Sequence, residues 1–316
     1  MKVIVPIMIG LIFSLILGKI TIPFLQKVNA GQSIREDGPQ SHFTKSGTPT
    51  IGGIIFLSAL LLGVLVTGNF KTTVFMLLVS IFGFGMVGFI DDYIKVVRKR
   101  NLGLTALQKL LLQIFVAIIL LAYQYNSQSV STEVYLPIIK KFVSFGLWYI
   151  PFILFVVVGT VNSVNLTDGL DGLSSGVTII TLSFFTIVAH RFHRPEIMFF
   201  CLILIGSLLG FLYYNQYPAK VFMGDTGSLA LGGVISAIAV LLNVPLILPI
   251  AGGIYFIETL SVIIQVVSFK TRGKRVFLMS PLHHHYEQKG WKEQKVVVTF
   301  YAAQIILCII AYFMLF

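Results

Sequence analysis

Charge is what this sequence lacks. Asp and Glu together number 12 and Lys and Arg 23, so only 11% of the 316 residues are charged, against roughly 25% in ordinary soluble domains. That little polar surface cannot cover two soluble domains, and it excludes a disordered chain or a soluble coiled coil. Cysteine is equally scarce. Cys201 and Cys308 both lie inside apolar runs, MFFCLIL and IILCIIAY, which excludes a disulfide scaffold and a thiolate metal site. The first twenty residues, MKVIVPIMIGLIFSLILGKI, resemble a signal peptide but have no small-x-small cleavage site, so they read as a retained first span.

What is present is apolar: 56% of residues, with a mean hydropathy of +0.92. Nine segments free of Asp, Glu, Lys and Arg suit membrane crossing: 3–18, 46–70, 72–90, 110–132, 142–167, 172–190, 197–219, 226–257 and 296–316. A crossing needs about 20 residues; the first is short but continues past Lys19, which can snorkel, to Phe24. Between Thr226 and Phe269 the only charge is Glu258. At 1.5 Å per residue that stretch is about 66 Å long, twice a bilayer, and Asn243-Val244-Pro245 offers a turn in its middle. It therefore counts as two spans, and the expectation is an all-α integral membrane protein, one polytopic domain of ten transmembrane helices.

With ten spans both termini share a side. The odd-numbered connections, with Lys19 at a helix end beside them, then hold every Lys and Arg except Lys2, Lys71, Lys140, Lys141, Arg191 and Arg194. By the positive-inside rule these connections, at about 25–47, 91–108, 165–173, 214–227 and 269–295, are cytoplasmic and both termini are outside. This accounts for the net charge of +11 with no nucleic-acid partner, and gives a basic inner face that attracts anionic lipids and soluble anions.

All six aspartates fall on that same side, Asp37, Asp91, Asp92, Asp168, Asp171 and Asp225, with His42, His283, His284 and His285. A transporter would place ionisable groups near the midplane. An enzyme joining a membrane-embedded partner to a soluble one would gather them at one interface, as here.

Five motifs carry that chemistry. In GFIDDY, Asp91 and Asp92 close the third span; adjacent carboxylates repel and need hydration, a proton or a bridging cation, the alternative being a solvated helix end. In NSVNLTDGLDG, Asn162, Asn165, Asp168 and Asp171 recur every third residue, neighbours on one helical face, and Gly169 and Gly172 allow close approach to the backbone. In VFMGDTGS, Asp225 is either an N-cap or, with Gly224, a ligand of a hard cation such as Mg²⁺ bridging phosphates. In SPLHHHYE, His283, His284 and His285 cannot all face one metal, so zinc is excluded, leaving a solvated loop or a diphosphate- or sugar-binding one. In KSGTPTIGG, Lys45 and the small residues that follow either flank the membrane or hold a phosphate or nucleobase. Glu258, Ser261 and Gln265 form a stripe inside the membrane, where the carboxylate calls for a partner on another helix or an aqueous cleft. Several carboxylates, a divalent cation and basic loops together suit phosphoryl transfer.

The ordered set KSGTPTIGG, GFIDDYIK, NSVNLTDGLDGL, VFMGDTGSLALGG, ETLSVIIQVVSFK and SPLHHHYEQKGW resembles the phospho-N-acetylmuramoyl-pentapeptide transferases. These are a branch of the polyprenyl-phosphate N-acetylhexosamine-1-phosphate transferase superfamily. The likeness runs from Lys45 to Trp291, and the histidine loop points to the muramoyl-pentapeptide branch. The resemblance implies an Mg²⁺-dependent enzyme of the bacterial plasma membrane that makes lipid I and UMP from UDP-MurNAc-pentapeptide and undecaprenyl phosphate. It implies Asp225 as the Mg²⁺ ligand, Asp91 as the group that deprotonates or orients the lipid phosphate, and Asp92 as support for Asp91 or for the metal. It further implies a nucleoside pocket of Phe222, Lys45 and the backbone near Asp171, with Thr50, Asn165 and Asp168 alongside. Gln265 and the three histidines would meet the sugar-peptide end, a groove on the ninth helix would take the prenyl chain, and the family commonly forms homodimers. The rival readings are a UDP-GlcNAc-using transferase and, from another class, an anion transporter.

Overall fold

The computed structural model describes residues 3–28, 47–68, 70–98, 103–126 and 132–316; Lys45 and His42 lie outside them. The described elements run α1 (Ile4–Lys27), α2 (Gly53–Thr67), α3 (Thr72–Arg98), α4 (Ala106–Asn126), β1 (Glu133–Leu136), β2 (Lys141–Ser144), α5 (Tyr149–Thr167), α6 (Leu173–Arg191), α7 (Pro195–Asn215), α8 (Gly224–Leu241), α9 (Leu248–Ala251), α10 (Gly253–Arg272), α11 (Leu282–Gln288) and α12 (Glu293–Leu315). Nine of these helices are long and apolar enough to cross a membrane. The apolar α2 has only 15 residues, about 22 Å at 1.5 Å each, short of a hydrocarbon core of roughly 30 Å. Residues 47–52, part of its expected first turns, are non-helical and pair through Pro49 and Gly52 with Phe222 instead, and Gly68 in the left-handed region closes it.

The expected boundaries shift for local reasons. The third helix does not end at Asp91-Asp92 but runs two more turns to Arg98, since nothing between Phe89 and Arg98 breaks a helix and Lys95 lies one turn after Asp91, a favourable i,i+4 pair. The all-α expectation meets one exception. Residues 133–144, read partly as span, form an antiparallel hairpin with Val134 opposite Val143 and Tyr135 opposite Phe142. The β-branched and aromatic residues favour strand here. The long apolar stretch after Thr226 divides as expected, at Asn243, whose φ is 58°.

α8 is the buried centre of the bundle, enclosed from Thr226 to Val240. Apolar side chains have no solvent-driven preference for one another over lipid, so close approach and dispersion hold such helices together. Small residues supply the approach: a side chain at Gly233 would overlap the Phe84 ring of α3, and one at Gly232 would meet the Val161 backbone of α5. At the opposite flank a buried polar network holds the break before α10. Gln304 of α12 accepts the Ile254 N–H at 3.2 Å and donates to Thr181 Oγ1 at 3.0 Å.

Candidate active site

Four helix ends meet at one end of the bundle: the last turns of α3, the first turn of α4, the last turn of α5 and the first turn of α8. Each contributes a polar side chain. From α3 come Asp91, Asp92 and Lys95, from α4 Lys109, from α5 Asn165, and from α8 Asp225, Thr226 and Ser228.

The two adjacent aspartates do different work. Asp92 caps α8 from outside: its Oδ2 accepts the Thr226 N–H at 2.8 Å and hydroxyl at 2.7 Å, and its Oδ1 accepts the Asp225 N–H at 3.2 Å. A carboxylate here satisfies orphan backbone donors and meets the positive end of the helix dipole. Asp225 is therefore not its own helix's cap, and its carboxylate points into the cluster. The approach depends on Gly88, one turn before Asp92, where a Cβ would overlap the Asp225 carbonyl. Gly224 sits at φ +72°, and a side chain there would collide with Asp92 Oδ2 and Thr50 Oγ1.

Asp91 Oδ1 accepts the Leu104 N–H at 2.7 Å, and its Oδ2 lies 2.6 Å from Lys95 Nζ. Asp225 Oδ2 receives Lys95 Nζ at 2.9 Å and Lys109 Nζ at 2.7 Å, while its Oδ1 accepts the Asn165 amide at 2.8 Å. The same amide reaches Ser228 Oγ at 2.8 Å. Asp91, Asp92 and Asp225 each offer an oxygen within 4.8 Å of the others. An all-carboxylate set of that size fits a hard cation such as Mg²⁺.

Asp168, just past α5, lies beside this cluster. Burial first, then the charges of Asp225, Asp92 and Asp171, push its carboxyl up to about 8, so near neutral pH it holds a proton to donate. Asp171 serves architecture: its Oδ2 accepts the Ala219 N–H at 2.9 Å, and its own N–H donates to Glu293 Oε1 at 2.7 Å. The segment around Thr50 lies alongside Phe222, whose N–H donates to the Pro49 carbonyl at 2.8 Å and whose carbonyl accepts the Gly52 N–H at 2.9 Å. Thr50 is buried and the Phe222 side chain half-buried.

The three histidines diverge, each on its own bearing around α11. His283 is buried; its N–H donates to Glu258 Oε1 at 3.1 Å, and its Nδ1 lies 3.3 Å from Glu258 Oε2. Its ring rests on Gly169, where any side chain would overlap it, so the histidine segment meets the Asp168–Asp171 loop. Glu258 thereby finds its partner on a neighbouring element. His284 Nδ1 lies 2.8 Å from Glu287 Oε2, and His285 Nδ1 accepts the Leu278 N–H at 3.1 Å. Burial, with Lys289 adding, lowers the His285 pKa. Two expected site residues are occupied elsewhere. The Asn162 amide donates to Gln113 Oε1 on α4 at 2.7 Å, and Gln265 accepts the Val276 and Phe277 N–H groups at 2.9 and 3.0 Å. Lys95 and Lys109 were legible only as inward-side charge; Lys95 alone carried a local signal, its i,i+4 spacing from Asp91.

A family profile described as Glycosyl transferase family 4 matches residues 74–243, the span holding α3 to α8 and the whole carboxylate cluster. Fold, cluster and match define a membrane-embedded glycosyl transferase of that family. Similarity is finer still to curated proteins called phospho-N-acetylmuramoyl-pentapeptide-transferase. That of Alkaliphilus oremlandii is 53% identical, over 98% of this chain and 96% of the relative. That of Alkaliphilus metalliredigens is also 53% identical, over 98% and 97%, and that of Clostridium beijerinckii 50% identical, over 98% and 96%. The chain belongs to the phospho-N-acetylmuramoyl-pentapeptide-transferase family.

Proposed function

We propose that this protein transfers phospho-MurNAc-pentapeptide from UDP-MurNAc-pentapeptide to undecaprenyl phosphate, releasing UMP and forming lipid I, the first membrane step of peptidoglycan synthesis. The observation that carries the reading is the cluster of Asp91, Asp92 and Asp225 with Lys95 and Lys109 at four converging helix ends, in a chain about half identical to transferases of that name.

A lipid-phosphate oxygen attacks the phosphorus that bears the sugar, and the bond to the UMP oxygen breaks, one phosphoanhydride replacing another. Mg²⁺ held by Asp225, with Asp91 at hand, would neutralise the diphosphate and the charge on departing UMP. Asp91 takes up or orients the acceptor phosphate's proton. Asp92 fixes the first turn of α8, and with it the direction of Asp225. Lys95 and Lys109 supply two ammonium groups for phosphate oxygens. Asn165 holds Asp225 from the side opposite the lysines. Protonated Asp168 and Thr50 line the adjoining space, Lys45, Phe222 and the backbone near Asp171 take the nucleoside, and the segment whose backbone Gln265 holds, with His283, His284 and His285 on α11, meets the sugar-peptide end.

In the membrane, α2 joins the nine longer helices as a tenth crossing, since it is apolar throughout and lies between charged flanks. Both termini then lie outside and the cluster faces the cytoplasm of a bacterial plasma membrane, where the soluble donor is available. The prenyl chain runs along α10, whose Ile257, Leu260 and Ile264 are open to lipid, and two copies associate as a homodimer. The test is Mg²⁺-dependent UMP release by purified protein with undecaprenyl phosphate. UDP-MurNAc-pentapeptide and UDP-GlcNAc are supplied in separate reactions. UMP from the muramoyl donor alone, lost in Asp91→Asn and Asp225→Asn, is the expected result; UMP from UDP-GlcNAc instead refutes the assignment of the donor.

A further inference from the structure

α4 starts beside the carboxylate cluster with Lys109 and runs away from it, and α5 returns to it with Asn165. The hairpin between them therefore lies at the opposite end of the bundle. Its two strands differ. β1 is docked: Val134 and Tyr135 are buried, the Tyr135 N–H donates to the Asn243 carbonyl at 2.8 Å, and its hydroxyl donates to the Leu315 carbonyl at 3.0 Å. The turn, β2 and the residues that lead into α5 are open and largely apolar. Ile138 is 90% exposed, Leu147 92% and Trp148 78%, and Ile139 and Phe142 are exposed beside them.

Water does not tolerate such a patch on a part held this firmly, and its surroundings identify what covers it. Trp148 immediately precedes α5, and Phe155, two turns on and on the same side, is 77% exposed on the lipid-facing flank of the span. The patch thus continues the lipid surface of α5 past its outer end. Tryptophan at a span boundary belongs at headgroup depth. Lys140 and Lys141, both exposed, stand at the hairpin turn between Ile139 and Phe142. Cations next to apolar tips match anionic lipid phosphates above an acyl boundary.

We propose that the hairpin is a membrane-interface anchor, with Ile138, Leu147 and Trp148 in the headgroup–acyl boundary and Lys140 and Lys141 on the phosphates of anionic phospholipids. This rests on the spanning helices and the hairpin's docking, and is independent of the reaction at the other end. Through Tyr135 the anchor grips the turn after α8 and the last residues of α12, so lipid contact braces both helices at once.

Trp148 reports on its own position once Trp291→Phe makes it the sole tryptophan. The full-length variant is reconstituted in phosphatidylcholine vesicles, with or without phosphatidylglycerol, carrying bromines at shallow or deep acyl positions. The expected result is blue-shifted emission, quenched at least twofold more by shallow than by deep bromines and scarcely by aqueous iodide. Phosphatidylglycerol should strengthen the shallow quenching, and Lys140→Glu with Lys141→Glu should remove that gain. A nitroxide on Ile138→Cys gives a second reading if Trp291→Phe perturbs folding, because Cys201 and Cys308 are buried; it should be more accessible to oxygen than to an aqueous nickel chelate. Iodide quenching without bromine quenching places the hairpin in water and overturns the proposal. Shielding from both quenchers means that protein covers the patch and overturns it too. Equal quenching with and without phosphatidylglycerol overturns the role given to the lysines.

Discussion

Lys109 Nζ lies 2.7 Å from Asp225 Oδ2, across 116 residues of sequence, and Lys95 Nζ reaches the same oxygen at 2.9 Å. Two ammonium groups on one carboxylate oxygen offset most of the charge of a three-aspartate cluster. A charge-assisted hydrogen bond is worth about 1.5–3 kcal/mol, or roughly 10- to 150-fold in rate. Lys109→Met should therefore lower the rate of UMP release by about that factor, with the protein still eluting as a folded species. A rate within twofold of the unaltered protein would remove Lys109 from the chemistry.

Asp92 and Asp225 should separate by what their loss does. Asp92→Asn weakens three hydrogen bonds at the start of α8, a cap worth about 1 kcal/mol, so it should lower Tm measurably as well as activity. Asp225→Asn leaves those three cap bonds in place but weakens the ion pairs with Lys95 and Lys109, so it should abolish UMP release with a smaller loss of Tm. Thermal scans in detergent beside activity assays decide this, and equal Tm losses would contradict the division of labour.

Metal binding offers a test without turnover. Mn²⁺ titration followed by electron paramagnetic resonance should show a site weakened at least tenfold by Asp225→Asn or Asp91→Asn, and unaffected by His284→Ala. Loss of the site on removing the histidine would move the metal to α11.

Asp168 sets a pH dependence. Its carboxyl is raised from 3.8 to about 8 in the folded protein, so folding resists its ionisation. The stability it contributes is fully present below about pH 4, declines as pH rises, and is gone above about 8. In EDTA, Tm should fall between pH 5 and 8, and Asp168→Asn should flatten part of that fall. Identical slopes for the two proteins would show that Asp168 ionises freely.

Gly88 should admit no substitution. A methyl group there overlaps the Asp225 carbonyl, and forcing α3 from α8 costs about 1–3 kcal/mol. Gly88→Ala is expected to lower Tm and suppress activity together, whereas Gly68→Ala, at an open turn of φ +65°, should leave activity intact.

Uninterrupted apolar runs made most helices legible, since length without charge is nearly all a bilayer requires. α2 was less legible because Thr48 to Gly52 are apolar or small yet are drawn into backbone pairing with Phe222, a contact between distant segments. The hairpin escaped notice because Val134, Tyr135 and Phe142 suit strand and span equally. At the site, Asp91, Asp92, Asn165 and Asp225 stood out because carboxylates and amides in apolar runs need partners. Their partition did not, for nothing local distinguishes Asp92, which caps α8, from Asp91, which is equally buried but pairs with Lys95. Asn162 shares Asn165's spacing but faces Gln113, a difference set by where α4 packs.

Asp171 carries a consequence for biosynthesis. Its N–H is held by Glu293, at the first turn of the last helix, while its carboxylate holds Ala219. Every carboxylate of the cluster has been synthesised by residue 225, but the loop beside them receives its final tether only after residue 293 has been made. A nascent chain arrested between those points carries the aspartates without the finished loop. Synthesis of the start of α12 thus times the final tethering of that loop.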